Sequence, residues 1–322
     1  MKNYGKVKEL ILERSILKPI SQNKIGIEKG AAVGSDCAFI DEMGLANGYM
    51  SIDTEDAPKW AVCSACNNLW AGGIRPTHIM VNLILPAHIK ESRIKNIMSR
   101  IVDEALYHDV KIAGGHSEYA DGLKAPIISV TAMGRPAGQM EAKDVIDKDI
   151  VMTKWMGICG TAILAQVKQQ ELCTRLPEKY VAAAAAMGRL CEVAPEAQKA
   201  IETGKVLAMH DVAGGGIYTA LWELGKKLDC GLSVDIKAIP VMQETIEVCE
   251  FFDINPYRLK GDGSLLIVTE DGEGLANMLK EEGIAAAVIG KTTTGLDRVI
   301  TREEERRFLE SANGDEIYKV IC

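Results

Sequence analysis

The chain has 322 residues and a formal net charge of −8, with 47% hydrophobic and 25% charged residues. This composition is ordinary for a globular protein with a sizeable core, and the length allows two domains. The acidic balance provides no basic footprint for nucleic acid, and no apolar run reaches the about 20 residues of a membrane-spanning helix. We therefore expect a cytoplasmic protein that binds neither nucleic acid nor membrane.

Strands and helices alternate in the first half of the chain. An amphipathic helix over residues 4–17 is expected to end at Pro19. The elements predicted after it are strands 37–40 and 49–52, helix 61–70, strand 77–85, helix 91–108, and strands 110–113 and 127–133. The residues from Gly114 to Glu118 are expected to form a turn after the strand that precedes them.

A second unit of the same kind begins near residue 146. Its predicted elements are strand 149–154, helices 161–167 and 177–191, strand 206–209, helix 217–228, strand 232–236, helix 245–252, strand 264–268, helix 274–281 and strand 285–289. The pattern predicts an α/β (α+β) protein with two domains, residues 1–145 and 146–322.

Nine cysteines lie mostly in apolar segments, and the number is odd. Reduced thiols in the core are therefore expected rather than a disulfide framework. Cys63 and Cys66 form a lone Cys-x-x-Cys pair without a second pair at zinc-site spacing, so core packing is the preferred interpretation. His78, His88 and His108 are isolated in sequence, and nothing marks them as metal ligands.

Two acids and an amide pair mark the stretch between residues 34 and 76. Asp36 and Asp53 stand at strand boundaries, and Asn67-Asn68 lies inside an apolar helix. A buried amide without partners costs about 1–3 kcal/mol, so hydrogen bonds from the helix to a loop, plus two turn acids, are one interpretation. The other is a Mg²⁺ site in which Asp36 and Asp53 hold the ion against phosphate oxygens.

Glycine-rich segments provide candidate phosphate contacts. Gly214-Gly215-Gly216 lies between a predicted strand and a predicted helix, where backbone N–H groups can bind phosphate; tight strand–helix packing explains such a turn equally well. Gly114-Gly115 precedes His116 and Glu118. The histidine is a candidate to bind phosphate or substrate, or to accept a proton near neutral pH.

The order of these motifs resembles the aminoimidazole ribonucleotide synthetase (PurM-like) superfamily. The matching residues are Gly34-x-Asp36-x-Ala38, Ser51-x-Asp53, Asn67-Asn68-Leu69-x-x-x-Gly73-x-x-Pro76 and His210-Asp211 followed by Gly214-Gly215. Within it, the chain is most similar to the HypE family of hydrogenase maturation proteins. The resemblance implies a two-domain PurM-like fold, a homodimer formed by the first domains, and Mg-ATP in the cleft between domains. It assigns nucleotide contacts to Asp36, Asp53, Asn67, Asn68, Gly114, Gly115, Asp211, Gly214 and Gly215, and Mg²⁺ to Asp36 and Asp53.

Ile321-Cys322 resembles the Ile-Cys with which proteins of the HypE family end. The resemblance implies that the Cys322 thiol receives a carbamoyl group from a partner carbamoyltransferase. ATP-dependent dehydration would then give a thiocyanate, whose cyano group passes to an iron-carrying maturation complex. His116 and Glu118 join Cys322 as candidate catalytic residues.

Several positions depart from the family pattern. Ser35, Asn68 and His116 stand where an aspartate is common, and Val212-Ala213-Gly214 replaces a segment that contains an arginine. Fewer carboxylates weaken Mg²⁺ binding. Two alternatives therefore stay open: another ATP-using enzyme that phosphorylates an amide or carboxylate oxygen, and a non-catalytic paralogue that binds a nucleotide or a partner.

Overall fold

The computed structural model of the protein describes residues 4–23, 27, 30–140, 142–311 and 314–321. Two β-sheets organise these residues. The strands of the first sheet are β1 (Ala38–Ile40), β2 (Met43–Met50), β3 (Ile74–Pro86), β4 (Lys111–Ala120) and β5 (Ile127–Pro136). Those of the second are β6 (Asp149–Thr153), β7 (Val206–Val212), β8 (Gly231–Asp235), β9 (Ser264–Thr269), β10 (Ala286–Thr293), β11 (Arg298–Arg302) and β12 (Glu305–Phe308).

Both sheets are mostly antiparallel. The first has the order β1-β2-β5-β3-β4, and only β3 and β4 are parallel neighbours. The second has the order β12-β11-β8-β10-β6-β9-β7, and only β8 and β11 are parallel. The predicted mixed α/β fold is confirmed. The proposed domain boundary near residue 145 stays a prediction, and it falls between β5 and β6.

Helices cover the sheets and connect the strands. They are α1 (Glu9–Leu12), α2 (Lys18–Ile20), α3 (Ala57–Ala71), α4 (Glu91–Tyr107), α5 (Ile158–Val167), α6 (Gln169–Leu172), α7 (Glu178–Ala186), α8 (Ala194–Glu202), α9 (Gly216–Lys227), α10 (Gln243–Phe252), α11 (Gly272–Glu281) and α12 (Tyr318–Ile321). Within the described part of the chain, none is both long and apolar enough to cross a bilayer.

The first helical segment differs from its prediction. A π-helical stretch, Glu13–Leu17, joins α1 to α2, and the helical conformation continues past Pro19 to Ile20. Pro19 lies in α2, directly after the π-helical stretch, and does not end the helical conformation. The expected helix end at Pro19 is therefore wrong.

Helix α3 links the two halves of the molecule. Thirteen of its fifteen residues are buried, because it packs on the first sheet and also contacts the second half. Small residues permit the close approach to the sheet: a Cβ on Gly48 of β2 would lie 2.4 Å from the backbone nitrogen of Ala65. On its other side, Trp60 is 1% exposed and its Nε1 donates to the carbonyl of Gly188. The position of the second half is thus tied to α3.

Strand β4 contains the residues from Gly114 to Glu118, so the turn expected there is wrong. Pairing with β3 continues through both glycines. A Cβ on Gly115 would lie 1.8 Å from the carbonyl oxygen of Val81, and glycine is therefore required by the close approach of β3 rather than by a turn. Residues 111–119 of this edge strand are exposed on both faces.

Candidate functional site

A cavity of about 600 Å³ lies between the two halves of the protein. This volume is within the range of about 300–1,000 Å³ that is typical of small-molecule sites. Asp36 and Asn68 line it from the first half, and Asp211 and Gly214 line it from the second. Residues from the N-terminal segment 5–20, together with Asp315 and Tyr318, complete its wall. The fold therefore brings together four of the residues singled out in the sequence.

A buried ion-pair cluster forms one side of the cavity. Asp36 Oδ1 lies 2.8 Å from His210 Nδ1, and Asp36 Oδ2 lies 2.7 Å from Lys227 Nζ. On the far side of the imidazole, His210 Nε2 lies 3.2 Å from Glu223 Oε2, which in turn pairs with Lys6 at 2.7 Å. The Asp36 and His210 side chains are each only 4% exposed. The cluster joins the two halves through charges that burial protects from solvent screening.

Opposite charges set the protonation states of this cluster. Burial by itself would raise the pKa of Asp36, but the charges of His210 and Lys227 hold it well below its usual range. Burial would lower the pKa of His210, whereas Asp36 and Glu223 raise it to about 9. At neutral pH the pair is therefore a carboxylate and an imidazolium. A Mg²⁺ ion at Asp36 would compete with two cations that already neutralise it.

We expect the stability of the protein to fall as the pH rises from 6.5 to 9. The folded-state pKa of His210 is about 9 and its ordinary value is 6.5. The contribution of His210 to the free energy of unfolding is therefore complete below pH 6.5. Roughly 3 kcal/mol of that free energy is lost as the pH rises from 6.5 through 9. Urea unfolding of wild type and His210→Gln at both pH values measures the difference. The buried thiols are the same in both proteins, so they do not cause a difference between the two. An unfolding free energy that changes equally with pH in both proteins would therefore contradict this role of His210.

Asp211 is the buried acid of the cavity that has no partner. It is 3% exposed, and neither carboxylate oxygen has a hydrogen-bond partner among the described residues. Burial raises its pKa well above the usual range, and the charges of Asp262 and Asp36 raise it further. Asp262 is buried as well, with Oδ2 2.8 Å from Lys260 Nζ. Carboxylates of this kind fit a divalent cation, because such an ion supplies the missing positive charge.

The glycine loop between β7 and α9 already binds an anionic group. Gly215 and Gly216 have φ values of +83° and +66°, which L side chains rarely adopt. The Gly215 N–H donates to Asp315 Oδ2 at 2.7 Å, and the backbone N–H groups of Lys260 and Ile317 donate to Asp315 Oδ1. The carboxylate lies at the start of α9, as a phosphate would at a helix N-terminus. A phosphate at this loop would have to displace Asp315.

The other predicted residues lie elsewhere and do not belong to the described lining of the cavity. Asp53 pairs with Arg93 at 2.8 Å. Asn67 is fully buried and bonded to the segment at residues 191–193. Gly114 and Gly115 lie in β4, on which the exposed His116 and Glu118 pair at 3.1 Å. Cys322 lies outside the described residues. The nucleotide, metal and catalytic roles of all these residues stay predictions.

Sequence reasoning missed His210 and Lys227 as partners of Asp36, and Asp262 as the like-charged neighbour of Asp211. Asp36 is 174 positions from His210 and 191 from Lys227, so no local pattern connects them. The available signal in the sequence was the adjacency of His210 and Asp211 in a strand that is otherwise apolar. Two neighbouring polar side chains in a buried strand need polar partners inside the core.

Comparison with known proteins decides the family. The family model for the N-terminal domain of AIR synthase related proteins matches residues 24–135, and the C-terminal domain model matches residues 147–302. The chain belongs to the AIR synthase related family. The carbamoyl dehydratase HypE of Rhodobacter capsulatus is 24% identical over 277 residues, which cover 82% of this chain and 79% of that protein.

Solved structures support the same fold for this AIR synthase related protein. HypE in a HypE–HypF complex matches with a TM-score of 0.74 and 18% identity, over 92% of this chain and 99% of that one. HypE in complex with ATP matches with a TM-score of 0.71 and 18% identity, over 97% and 96%. The two-domain PurM-like architecture expected from the sequence is confirmed.

Proposed function

We propose that the protein is a HypE-like maturation factor that uses ATP to dehydrate a thiocarbamate on Cys322 to a thiocyanate. The observation that carries the proposal is the composition of the inter-domain cavity. Its wall contains the unpartnered Asp211, the glycine loop, and Asp315 and Tyr318, which precede Cys322 in the chain. Residues that would hold a cation, residues that would bind a phosphate and residues that lead to the proposed acceptor thiol line one cavity, which supports the proposal.

The chemistry assigns separate tasks to these residues. ATP phosphorylates the amide oxygen of the thiocarbamate, and this oxygen then leaves as part of phosphate. A thiocarbamate and ATP therefore give a thiocyanate, ADP and phosphate. Asp211, with Asp262 beside it, would hold Mg²⁺ through hard carboxylate oxygens. The N–H of Gly215 would donate to a phosphate oxygen once Asp315 moves away. The pairing of Asp36 with His210 keeps the two halves together around the site.

Mg-ATP binding is expected to depend strongly on Asp211. Asp211→Asn keeps the shape of the side chain but removes its charge, and we expect affinity to fall by about 10–100-fold. Asp36→Ala and Asp53→Asn test the two acids of the superfamily assignment in the same titration, and Asp253→Asn is the control because Asp253 is exposed and outside the cavity lining. Isothermal titration calorimetry measures the four variants. Unchanged affinity in Asp211→Asn would remove Asp211 from the site.

A specific observation favours a second candidate, a paralogue that binds a nucleotide or partner without catalysis. His210 and Lys227 already neutralise Asp36, and Asp315 occupies the loop N–H at Gly215. Wild-type protein that binds no ATP would support a partner-binding role. ATP binding without hydrolysis or dehydration would support a nucleotide-binding one.

The proposed partners are a carbamoyltransferase and an iron-carrying maturation complex, together with a second copy of the chain. The solved HypE–HypF complex supports the first of these by analogy, since HypE shares this fold. The exposed strand β4 supports the third. It is an edge strand of the first sheet, and an uncovered edge strand is a template for pairing.

We expect a homodimer that β4 helps to form. Tyr119 on β4 is 63% exposed, and Tyr119→Lys should weaken the dimer because it places a charge on the strand edge. Leu296→Lys is the control, since Leu296 is a similarly exposed apolar residue outside the first sheet. Light scattering across the micromolar range gives the mass of each protein. A wild-type monomer throughout that range would rule the homodimer out.

A further inference from the structure

Three metal-ligating side chains meet between α3 and the end of α4, away from the cavity. Cys63 Sγ lies 3.1 Å from Glu104 Oε1 and 3.5 Å from His108 Nε2, and the same two atoms of Glu104 and His108 are 3.2 Å apart. Among the described residues, these form the one group of at least three whose donor atoms all lie within 4.8 Å of one another. Cys66, one turn along α3, is not part of it.

The triangle has edges of 3.1–3.5 Å and is slightly smaller than one face of a tetrahedral zinc site. Zinc bonds to sulfur, nitrogen and oxygen of about 2.0–2.3 Å place neighbouring tetrahedral donors roughly 3.3–3.6 Å apart. The Cys63 and Glu104 donors supply two negative charges when the thiol is ionised, and these match one divalent cation. Three protein ligands leave a fourth position for water.

The surroundings resemble those of metal sites in their burial and in the outer contact of the histidine. The side chain of His108 is 4% exposed, and that of Glu104 is 8% exposed. His108 Nδ1 faces Glu192 Oε2 at 3.9 Å, and Tyr107 donates to the other oxygen of Glu192. A carboxylate behind the second ring nitrogen is the usual way in which a metal-bound histidine is oriented.

We propose that Cys63, Glu104 and His108 bind one divalent ion of the zinc class, and that Glu192 orients His108. Glu192 adjoins Val193, whose backbone N–H donates to the side-chain oxygen of Asn67 in α3. The ion would therefore connect two helices of the first half with a segment of the second.

Other groups contact the Glu104 carboxylate when no ion is bound, and a bound ion must displace them. The thiol of Cys63 and the ring of His108 contact Glu104, and Lys59 Nζ lies 3.8 Å from its other oxygen. Burial and the Glu104 charge raise the pKa of the Cys63 thiol well above its usual range, so the metal must displace a proton. A self-contained hydrogen-bonded triad is consequently the competing description, and metal titration distinguishes the two.

The test is direct titration of the full-length, chelator-treated protein under reducing conditions. Zn²⁺ is titrated in competition with a chromophoric chelator, and Co²⁺ is added separately as a spectroscopic probe. We expect one equivalent of Zn²⁺ per chain and a thiolate-to-cobalt charge-transfer band. Wild-type protein that binds no stoichiometric Zn²⁺, or whose Co²⁺ spectrum lacks the thiolate band, overturns the proposal whether or not any variant folds.

Variants locate the ion. Cys63→Ser should remove the charge-transfer band, and His108→Gln should weaken Zn²⁺ binding by more than the roughly 10–100-fold that loss of an outer partner costs. Glu192→Gln should weaken it by roughly tenfold. Cys66→Ser is the matched control, one helical turn from Cys63, and should leave the band and the affinity unchanged. A band that survives Cys63→Ser, or disappears in a folded Cys66→Ser protein, would assign the ion to other residues and overturn the proposal.

Discussion

Replacing Asn67 by alanine is expected to lower the free energy of unfolding by about 2–5 kcal/mol. Asn67 is fully buried in α3, where its Nδ2 donates to the carbonyl of Cys191 at 2.7 Å and its Oδ1 accepts from the N–H of Val193 at 3.0 Å. The substitution leaves a buried acceptor and a buried donor without partners, and each such group costs about 1–3 kcal/mol. Urea unfolding monitored by circular dichroism measures the loss.

The neighbouring amide provides the control. Asn68 donates one hydrogen bond from a partly exposed position, to the carbonyl of Asn47. Because water can replace that contact, Asn68→Ala should cost less than about 1 kcal/mol. The two substitutions remove the same atoms from adjacent positions of one helix. Equal losses of stability would show that the bonds to residues 191–193 do not determine the contribution of Asn67.

Cys322→Ala is expected to abolish the modification chemistry while leaving the melting temperature and ATP affinity nearly unchanged. If Cys322 is the acceptor thiol, no other cysteine replaces it. Six of the other eight are buried, and burial raises the pKa of Cys66 and Cys249 to about 12, which makes these thiols poor nucleophiles. Intact-protein mass spectrometry after incubation with the carbamoyltransferase, carbamoyl phosphate and ATP is the measurement.

The expected signal is a carbamoyl adduct that peptide mapping places on Cys322 and that loses water only with ATP. Asp211→Asn separates the two steps, since it should accept the carbamoyl group without dehydrating it. Cys173→Ser is the matched thiol control, because Cys173 is exposed and lies on no predicted site. An adduct on an internal cysteine, or none on any residue, would contradict the proposed reaction.

Local periodicity was sufficient to predict most of the secondary structure. The helix expected over residues 91–108 is α4, Glu91–Tyr107, and the one expected over 61–70 lies within α3. The pattern failed at Gly114 and Gly115. There glycine serves the approach of a neighbouring strand, and that requirement comes from Val81, which lies far away in sequence. A single sequence does not distinguish such a glycine from one that forms a turn.

The site was harder to predict than the fold. The motifs located Asp36, Asn68, Asp211 and Gly214, but they did not predict that Asp36 pairs with His210 and Lys227, because those two residues come from other elements. Part of the cluster at Cys63 had a local signal in the sequence, because Glu104 and His108 are four residues apart on one helical face. The Cys-x-x-Cys spacing instead pairs Cys63 with Cys66, which does not belong to the cluster.

The position of Asp315 and Tyr318 in the cavity wall has a geometric consequence for any thiol that follows them. Cys322 is four residue steps from Tyr318, and a fully extended chain of that length spans at most about 14 Å. If Cys322 is the acceptor thiol, its sulfur can react only within about that distance of Tyr318. The proposed carbamoyltransferase would then have to bring its reaction centre within the same distance, and its docking surface would adjoin Tyr318.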